Sequence, residues 1–205
     1  YILVYYKVHY KPSFHADLAY NPGLATYYLT EMLHLYSISS LEDSVTFQVE
    51  NDQIVSVINL HESIDKIKET LNVIINKLNS ENEYIFLTVV ISNIYQDISQ
   101  LNQAYDRAVK ISEYRIPAAT TQVLYDDAEF ESLSINNFYF SLEQEEDFVN
   151  LLYTGRSEDC ISLAENVLDY NFRKRVSCFY IKALCNEIVN CCVKVLMKSY
   201  YEIPK

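Results

Sequence analysis

The chain has 205 residues, half of them hydrophobic, and carries a formal net charge of −12 with a pI near 4.7. This length suffices for one large domain or two small ones, and we expect two. No window approaches eighteen uninterrupted apolar residues, which excludes a membrane-spanning helix. The acidic charge excludes DNA binding by this chain, because nucleic-acid affinity comes mainly from Lys and Arg.

The cysteines and the start of the chain indicate its context. The five cysteines are Cys160, Cys178, Cys185, Cys191 and Cys192. Their odd number, without CxxC pairs, predicts free buried thiols in a reducing compartment, and we expect a cytoplasmic protein. The four histidines lie in the other half of the chain, so no Cys–His metal site is expected. Because the chain opens on Tyr1 without a signal peptide, we expect a piece of a longer protein, with an anchor or sensor that could lie upstream.

The first half of the chain alternates strand and helix patterns. The β-branched and aromatic run Ile2–Tyr10 predicts a central strand. After the turn signal NPG, the segment Leu24–Ser37 predicts a helix. Its predicted apolar stripe consists of Leu24, Tyr27, Tyr28, Met32, Leu33 and Leu35.

A predicted hairpin and the clearest amphipathic helix follow. Val45, Phe47 and Val49 alternate with polar residues, and a polar turn separates them from the apolar run Ile54–Leu60, which is typical of a hairpin. The next helix is predicted from apolar residues spaced three and four apart. These residues are Ile64, Ile67, Leu71, Ile74, Ile75 and Leu78.

The stretch Glu83–Asp127 predicts a strand, a helix and a last strand. Tyr84–Ile91 is the apolar strand, and Asp97 with Gln100 has the spacing of a capping box at a helix start. Pro117 closes that helix, and Val123–Tyr125 is the last strand. The predicted helical stripe consists of Ile98, Leu101, Ala104, Tyr105, Ala108 and Ile111.

From Ser141 onward the pattern is entirely helical. Gly155 is well placed to end the first helix, and Ser157 with Asp159 opens the second. The third begins near Val176 and should end near Tyr200 or Tyr201, because Pro204 disfavours helix before it. The apolar residues of the first two helices are Leu142, Phe148, Leu151, Leu152, Ile161, Ala164, Val167 and Leu168. The residues of the third helix predicted to face inward are Phe179, Tyr180, Ala183, Leu184, Ile188, Cys191, Val195 and Leu196.

Together these elements predict an α+β fold in which helices lie on a mainly antiparallel sheet, followed by an all-α segment. We place the sheet domain at residues 1–128 and the helical connector at residues 129–205.

Two segments carry a resemblance to a known family. QAYDRAVKISEYR, followed by VLYDD, is similar to the end of the degenerate GGDEF-like domain of Gram-positive AraC-type transcription regulators. FYFSLEQEEDFVNLLYTGRSEDCISLAENVL resembles the helical segment that joins this domain to the helix-turn-helix pair in those regulators. The resemblance covers roughly residues 83–196 and implies a cyclase-palm, ferredoxin-like fold for the sheet domain.

The resemblance also locates the turn where cyclases bind nucleotide and metal. In catalytic members this hairpin turn carries Gly-Gly-Asp/Glu-Glu-Phe, but here it reads Glu50, Asn51, Asp52, Gln53. Both glycines are missing, and Asp52 is the only acid in the metal-binding half. The product-inhibition Arg is absent from Leu41–Phe47. We therefore expect no catalytic residues, no metal and no cofactor, and hence no enzyme.

Other candidate residues favour structural roles. Asp126 and Asp127 are adjacent in a turn and predict a solvated loop end, and His61 predicts a capping or surface role. The acidic residues that start at Glu143 complement a helix dipole. The tyrosines concentrated near the start could line a small-molecule pocket, but packing is the preferred interpretation. They are Tyr5, Tyr6, Tyr10, Tyr20, Tyr27 and Tyr28.

The leading hypothesis is a non-catalytic signal-transmitting and dimerisation module of an AraC-family regulator. It would self-associate and reach DNA only through a domain absent from this chain. The alternative is a cytosolic sensing domain for a nucleotide-like small molecule, and an active cyclase is the weakest reading. The sequence does not identify the ligand or the input signal.

Overall fold

The chain divides into two compact units, Tyr1–Ser132 and Leu133–Lys205. The computed structural model describes residues 1–17, 21–41, 43–61, 63–81, 84–127 and 137–198. The predicted domain boundary between residues 128 and 129 lies outside these ranges, and so does the predicted helix end near Tyr200 or Tyr201. Within the described ranges, no helix is both long and apolar enough to cross a membrane.

The first unit contains five strands and four α-helices in its described part. They are β1 (Ile2–Tyr10), α1 (Pro12–Asp17), α2 (Pro22–Ser40), β2 (Ser44–Glu50), β3 (Gln53–Ile58), α3 (Ile64–Glu81), β4 (Ile85–Ile91), α4 (Leu101–Ser112) and β5 (Gln122–Tyr125). A short 3-10 helix, Ile98–Gln100, precedes α4. The predicted order of strands and helices is confirmed except for α1, a helix between β1 and α2 that the sequence did not predict.

The five strands form one sheet in the order β2-β3-β1-β4-β5. Only β4 and β5 run parallel, whereas the other neighbours are antiparallel. The predicted mainly antiparallel α+β architecture is therefore confirmed. β1 is central, as predicted from its apolar residues, and Tyr5 lies opposite Val55 on one side and Val90 on the other.

Alternate residues of β1 point into two separate cores, because successive strand side chains face opposite sides of the sheet. One core joins Ile2, Val4, Tyr6 and Val8 to buried residues of α2 and α3. The other joins Leu3 and Tyr5 to Ala104, Ala108 and Ile111 of α4. The sheet is thus covered by α2 and α3 on one face and by α4 on the other.

The predicted hairpin strand β2 is confirmed, but its alternating apolar residues lie on the uncovered face of the sheet. In β2, Ser44 and Thr46 are buried on the face that α2 covers, whereas Val45 and Phe47 point to the other face and are 59% and 45% exposed. A period of two identifies a strand but not which of its faces is covered.

In α2 the buried residues are Thr26, Leu29, Thr30, Leu33 and Ser37. Most of its predicted stripe is therefore exposed. The helix also extends beyond its predicted bounds at both ends. It begins at Pro22 because the Asn21 side chain caps it by accepting from the Leu24 N–H at 3.1 Å.

The start of α4 shows the predicted capping box. The Asp97 carboxylate accepts from the Ser99 N–H at 2.8 Å, and the Gln100 side chain accepts from the Asp97 N–H at 3.4 Å. Ile98, predicted to be in the apolar stripe, is exposed because it lies in the 3-10 turn. The helix ends at Ser112, before Pro117.

The second unit contains three helices in its described part: α5 (Leu142–Tyr153), α6 (Ser157–Arg173) and α7 (Cys178–Lys198). Gly155 follows α5 with φ 70°, the left-handed conformation that favours glycine at a helix end. Phe148, Cys160 and Cys191 form the centre of its core. Of the α7 residues predicted to face inward, Phe179 and Leu196 are exposed.

All five cysteines are free, as predicted, but they are not all buried. Cys160 and Cys191 are buried, Cys178 and Cys192 are half-buried, and Cys185 is exposed. Cys185 lies on the solvent side of α7, next to the buried Leu184. The prediction of uniformly buried thiols is wrong because a helix turns by about 100° per residue and so exposes neighbours of buried positions.

Candidate functional site

The hairpin turn Glu50–Gln53 is the candidate site, and two residues of β1 bond to it. The Lys7 Nζ lies 2.7 Å from the Asp52 Oδ2. The Val8 N–H donates to the Asp52 carbonyl at 2.8 Å. The Asp52 carboxylate is therefore paired with a lysine of the neighbouring strand.

A chain of side-chain hydrogen bonds links the turn to α4. The Gln53 amide donates to the Glu50 carboxylate at 2.8 Å, and the Tyr105 hydroxyl donates to the Gln53 carbonyl oxygen at 2.6 Å. Tyr105 also packs edge-on against Tyr5, with ring centroids 5.9 Å apart. Burial, and then the nearby Glu50 charge, raises the pKa of Tyr105, so its hydroxyl keeps the proton that it donates.

The start of α2 holds the turn from the other side. The Thr26 hydroxyl donates to the Asn51 carbonyl at 2.5 Å. The Tyr10 hydroxyl lies 2.6 Å from the Thr26 hydroxyl and donates to the Pro22 carbonyl at 2.8 Å. A Cβ placed on Gly23 would lie 3.6 Å from the Asn51 side-chain oxygen, so this helix start approaches the turn closely.

These contacts use the carboxylates and a backbone carbonyl of the turn, so few of its polar groups remain to bind a ligand. Glu50 and Asp52 both accept bonds from protein side chains, and neither of the two glycines that would let a nucleotide approach the backbone is present. Among the residues that the structure describes, no group of three or more His, Cys, Asp or Glu side chains is placed to hold a metal ion. The arrangement can stabilise the hairpin and connect it to β1, α2 and α4.

Several residues of the segment QAYDRAVKISEYR make structural contacts. Its alanines and Ile111 pack against the sheet, and Tyr105 reaches the hairpin turn. The Arg107 Nε donates to the Asp126 Oδ1 at 2.6 Å. The Arg115 guanidinium donates to the Ala118 and Thr120 carbonyls and lies 4.7 Å from the Phe86 ring centre. The segment thus contacts the hairpin turn and the residues on both sides of β5.

The prediction that Asp126 and Asp127 form a solvated loop end is wrong for Asp126. Its side chain is 1% exposed and pairs with Arg107, whereas Asp127 is exposed. The second carboxylate oxygen of Asp126 has no hydrogen-bond partner in the described part of the chain. Burial follows from Arg107, a partner nineteen residues earlier that local sequence patterns do not indicate.

His61 lies on the surface, as predicted, with its Nε2 at 2.7 Å from the Asp43 carboxylate. The predicted acidic first turn is also present, since Glu143 and Glu145 follow the Ser141 cap of α5. The acidic turn complements the dipole at the start of α5, and the His61–Asp43 contact joins two surface residues 18 positions apart.

The tyrosines do not converge on one pocket within the described residues. Tyr5 and Tyr6 are buried on opposite faces of the sheet, and Tyr27 and Tyr28 are exposed on α2. Tyr20 lies outside the described residues. Packing therefore explains the buried tyrosines without a ligand.

Sequence reasoning missed the side chains that hold the turn, namely Lys7, Thr26 and Tyr105. A signal for Lys7 was present, since it is the only charged residue in the otherwise apolar and aromatic run ILVYYKVHY. The other two gave no signal, because Tyr105 is 52 residues from Gln53 and Thr26 is 25 residues from Asn51.

A shallow groove of about 540 Å³ lies on the second unit, lined by aromatic residues that include Phe138, Tyr139 and Tyr170. Its polar lining comes from Ser141, Glu143 and Gln144. Because Ser141 and Gln144 already bond to each other's backbone N–H groups, they have little capacity left to recognise a ligand.

No protein-family model matches the chain, and no curated protein is significantly similar to it. The resemblance of roughly residues 83–196 to the AraC-type regulators therefore stays a prediction.

Proposed function

We propose that the chain is a non-catalytic signal-transmitting and dimerisation module of a cytoplasmic AraC-family transcription regulator. The observation that carries the proposal is that the polar groups of the hairpin turn Glu50–Gln53 are bonded to other side chains of the protein. Lys7 forms an ion pair with Asp52, and the Gln53 amide donates a hydrogen bond to the Glu50 carboxylate. The Thr26 hydroxyl donates to the Asn51 carbonyl. A turn held in this way favours a structural role over nucleotide chemistry.

The arrangement of the sheet supports the kind of domain proposed. A sheet of order β2-β3-β1-β4-β5 with a hairpin between β2 and β3 fits a palm-type domain that has kept its framework. The contacts of Tyr105, Arg107 and Arg115 explain why a motif at the end of such a domain would persist after its chemistry was lost. A three-helix unit then follows the sheet unit in the order that the resemblance implies.

The charge of the chain supports the proposal that signal transmission and DNA binding belong to different domains of the regulator. A net charge of −12 repels the phosphate backbone, so DNA would be bound by a separate basic domain. We expect the parent gene to encode a helix-turn-helix pair rich in Lys and Arg after residue 205. A parent gene without such a segment would contradict the assignment to a DNA-binding regulator.

The absence of catalysis is tested with GTP. The chain is incubated with GTP and Mg²⁺ beside an active diguanylate cyclase, and the products are separated by chromatography. We expect no cyclic dinucleotide, because the turn lacks both glycines and its acids are paired. Turnover that disappears in Asp52→Ala would contradict the proposal.

Titration calorimetry with GTP distinguishes the proposed module from the alternative, a sensing domain for a nucleotide-like ligand. We expect no heat of binding from the chain. Saturable binding without turnover would instead favour a sensing domain for a nucleotide-like ligand.

A further inference from the structure

The shallow groove of the second unit is built around an extended segment that α6 holds in place. Asn171 is fully buried, and its side chain accepts from the Tyr139 N–H at 2.7 Å and donates to the Tyr139 carbonyl at 2.8 Å. The same amide also donates to the Val167 carbonyl within α6. A backbone fixed in this way loses little entropy when a ligand binds beside it. We call this groove, which Tyr139 and Tyr170 help to line, the Tyr139–Tyr170 groove.

Two aromatic rings of the groove stand almost perpendicular to each other. The Tyr139 and Tyr170 ring centroids are 5.5 Å apart, and the ring planes make an angle of 85°. Tyr139 is 54% exposed and Tyr170 is 47% exposed, so each side chain keeps part of its surface open to solvent. A group that enters the angle between the two rings can therefore contact both of them.

The charges at the groove favour a cation. The face of an aromatic ring carries partial negative charge and attracts cations within about 6 Å of the ring centre. The Lys174 Nζ already lies 5.6 Å from the centre of the Tyr170 ring, so this ring attracts an ammonium group within the protein itself. Because Lys174 is exposed and its four-carbon stem is flexible, its side chain can move aside for a ligand.

Glu143 adds a negative charge to the groove. It is the only charged residue among the described residues that line the groove. No basic side chain in the described part of the chain forms an ion pair with it, whereas Glu145 pairs with Lys194. The Glu143 carboxylate can therefore balance the charge of a bound cation.

The hydrogen-bonding groups of the groove favour a cation that has no N–H groups. Ser141 and Gln144 bond to each other's backbone N–H groups, so they offer little to a further donor. A primary ammonium group carries three N–H donors that need acceptors. A quaternary ammonium group carries none, and aromatic rings are the usual means of recognising it.

We propose that the Tyr139–Tyr170 groove binds a quaternary ammonium group, which lies against the two rings while Glu143 balances its charge. The groove volume of about 540 Å³ lies within the range typical of small-molecule sites. A ligand site on the helical unit goes beyond the proposed function and does not depend on it, because that function rests on the hairpin turn of the other unit.

Titration of the full chain with choline chloride tests the proposal, with sodium chloride as the control for ionic strength. Calorimetry gives the dissociation constant, and saturation-transfer NMR shows whether the choline methyl groups contact the protein. The matched neutral ligand is the alcohol that carries a tert-butyl group in place of trimethylammonium. We expect choline to bind about tenfold more tightly than this alcohol, which is the order of magnitude that cation–π contacts with two partly exposed rings supply.

Variants locate the site. Tyr139→Leu and Tyr170→Leu each remove one ring and should each weaken choline binding severalfold, and Glu143→Gln should weaken it to a smaller extent. Tyr153→Leu is the matched control, because Tyr153 is 49% exposed but does not line the groove, and it should leave binding unchanged. Circular dichroism checks that each variant is folded, and the comparison of choline with the neutral alcohol needs no variant.

Trimethylammonium groups occur in free small molecules and in phosphatidylcholine headgroups. Sedimentation with phosphatidylcholine vesicles distinguishes the two sources. A chain that binds choline but stays in the supernatant assigns the groove to free small molecules. Co-sedimentation that Tyr170→Leu removes assigns the groove to the headgroup.

Three results would overturn the inference. Without saturable binding of choline, the groove has no such ligand. Equal affinity for choline and the neutral alcohol would show that the groove selects apolar groups and not cations. Choline binding that is the same in Tyr170→Leu as in Tyr153→Leu would show that the cation binds elsewhere. The proposed function would survive all three, since the GTP assays test it separately.

Discussion

Replacing Arg107 by Met should leave a buried carboxylate without its counter-ion. The Asp126 side chain is 1% exposed, and its Oδ1 accepts a hydrogen bond from the Arg107 Nε at 2.6 Å. Removing one partner of a fully buried ion pair costs about 3 to 5 kcal/mol. Because the Arg107 side chain is 44% exposed, solvent already screens part of the attraction. We therefore expect a loss of about 2 kcal/mol in the free energy of unfolding.

The assay is thermal and urea unfolding followed by tyrosine fluorescence, which suits a chain with 19 Tyr and no Trp. A loss of about 2 kcal/mol lowers the unfolding midpoint by roughly 5 to 10 °C in a domain of this size. Hydrogen exchange of α4 and β5 assigns the change to the first unit.

Two controls separate burial from the ion pair itself. Arg156 and Asp159 form a pair with the same 2.6 Å separation, but both side chains are at least half exposed, so Arg156→Met should cost less than about 0.5 kcal/mol. The double variant Arg107→Met with Asp126→Asn removes the buried charge and should recover part of the loss. If the double variant is no more stable than Arg107→Met alone, the lost stability does not come from an unpaired charge, and the reasoning is refuted.

Three further predictions follow from how far Leu184, His9 and Cys185 are exposed. Leu184 is fully buried in α7, so Leu184→Ala should cost about 2 to 5 kcal/mol in unfolding free energy. Burial lowers the pKa of His9 from 6.5 to about 4, so the folded state binds fewer protons than the unfolded state in that range. Stability should therefore fall as the pH falls from 6.5 to about 4. Cys185 should react first with a thiol reagent under native conditions, because it is exposed, whereas burial raises the pKa of the Cys160 and Cys191 thiols.

Each of these predictions has its own control. Val189 lies on the same helix as Leu184 but is 57% exposed, so Val189→Ala should have little effect, and equal losses would show that burial is not the cause. His9→Gln should flatten the dependence on pH in urea unfolding, and an unchanged dependence would assign it to the carboxylates. Mass spectrometry locates the labelled thiol, and fast labelling that persists in Cys185→Ser would contradict the assignment.

The sequence predicted the framework of the sheet unit well because its periodicity reports local structure. The residues of α3 that were expected to be apolar and inward, such as Leu71 and Leu78, are buried. Periodicity was less informative about which face of an element is covered. Val45 and Phe47 were correctly assigned to a strand, but their face is exposed because α2 packs on the other side.

The contacts of the candidate site were predicted least well. The turn Glu50–Gln53 could be located from the sequence because it interrupts two apolar runs. Its partners could not, since Lys7 and Tyr105 come from distant parts of the chain and reach it only once the sheet has formed. The burial of Asp126 has the same origin, because it depends on a partner on another element.

The central position of β1 also bears on how the chain folds during synthesis. β1 is paired with β3 and β4, both of which come later in the sequence, so it must remain unpaired until Gln53–Ile58 has been made. At about 5 to 20 residues per second, that interval lasts roughly 2 to 10 seconds on the ribosome. During this time one of the most apolar segments of the chain is exposed to other nascent chains, and chaperone capacity should limit the yield of the folded protein.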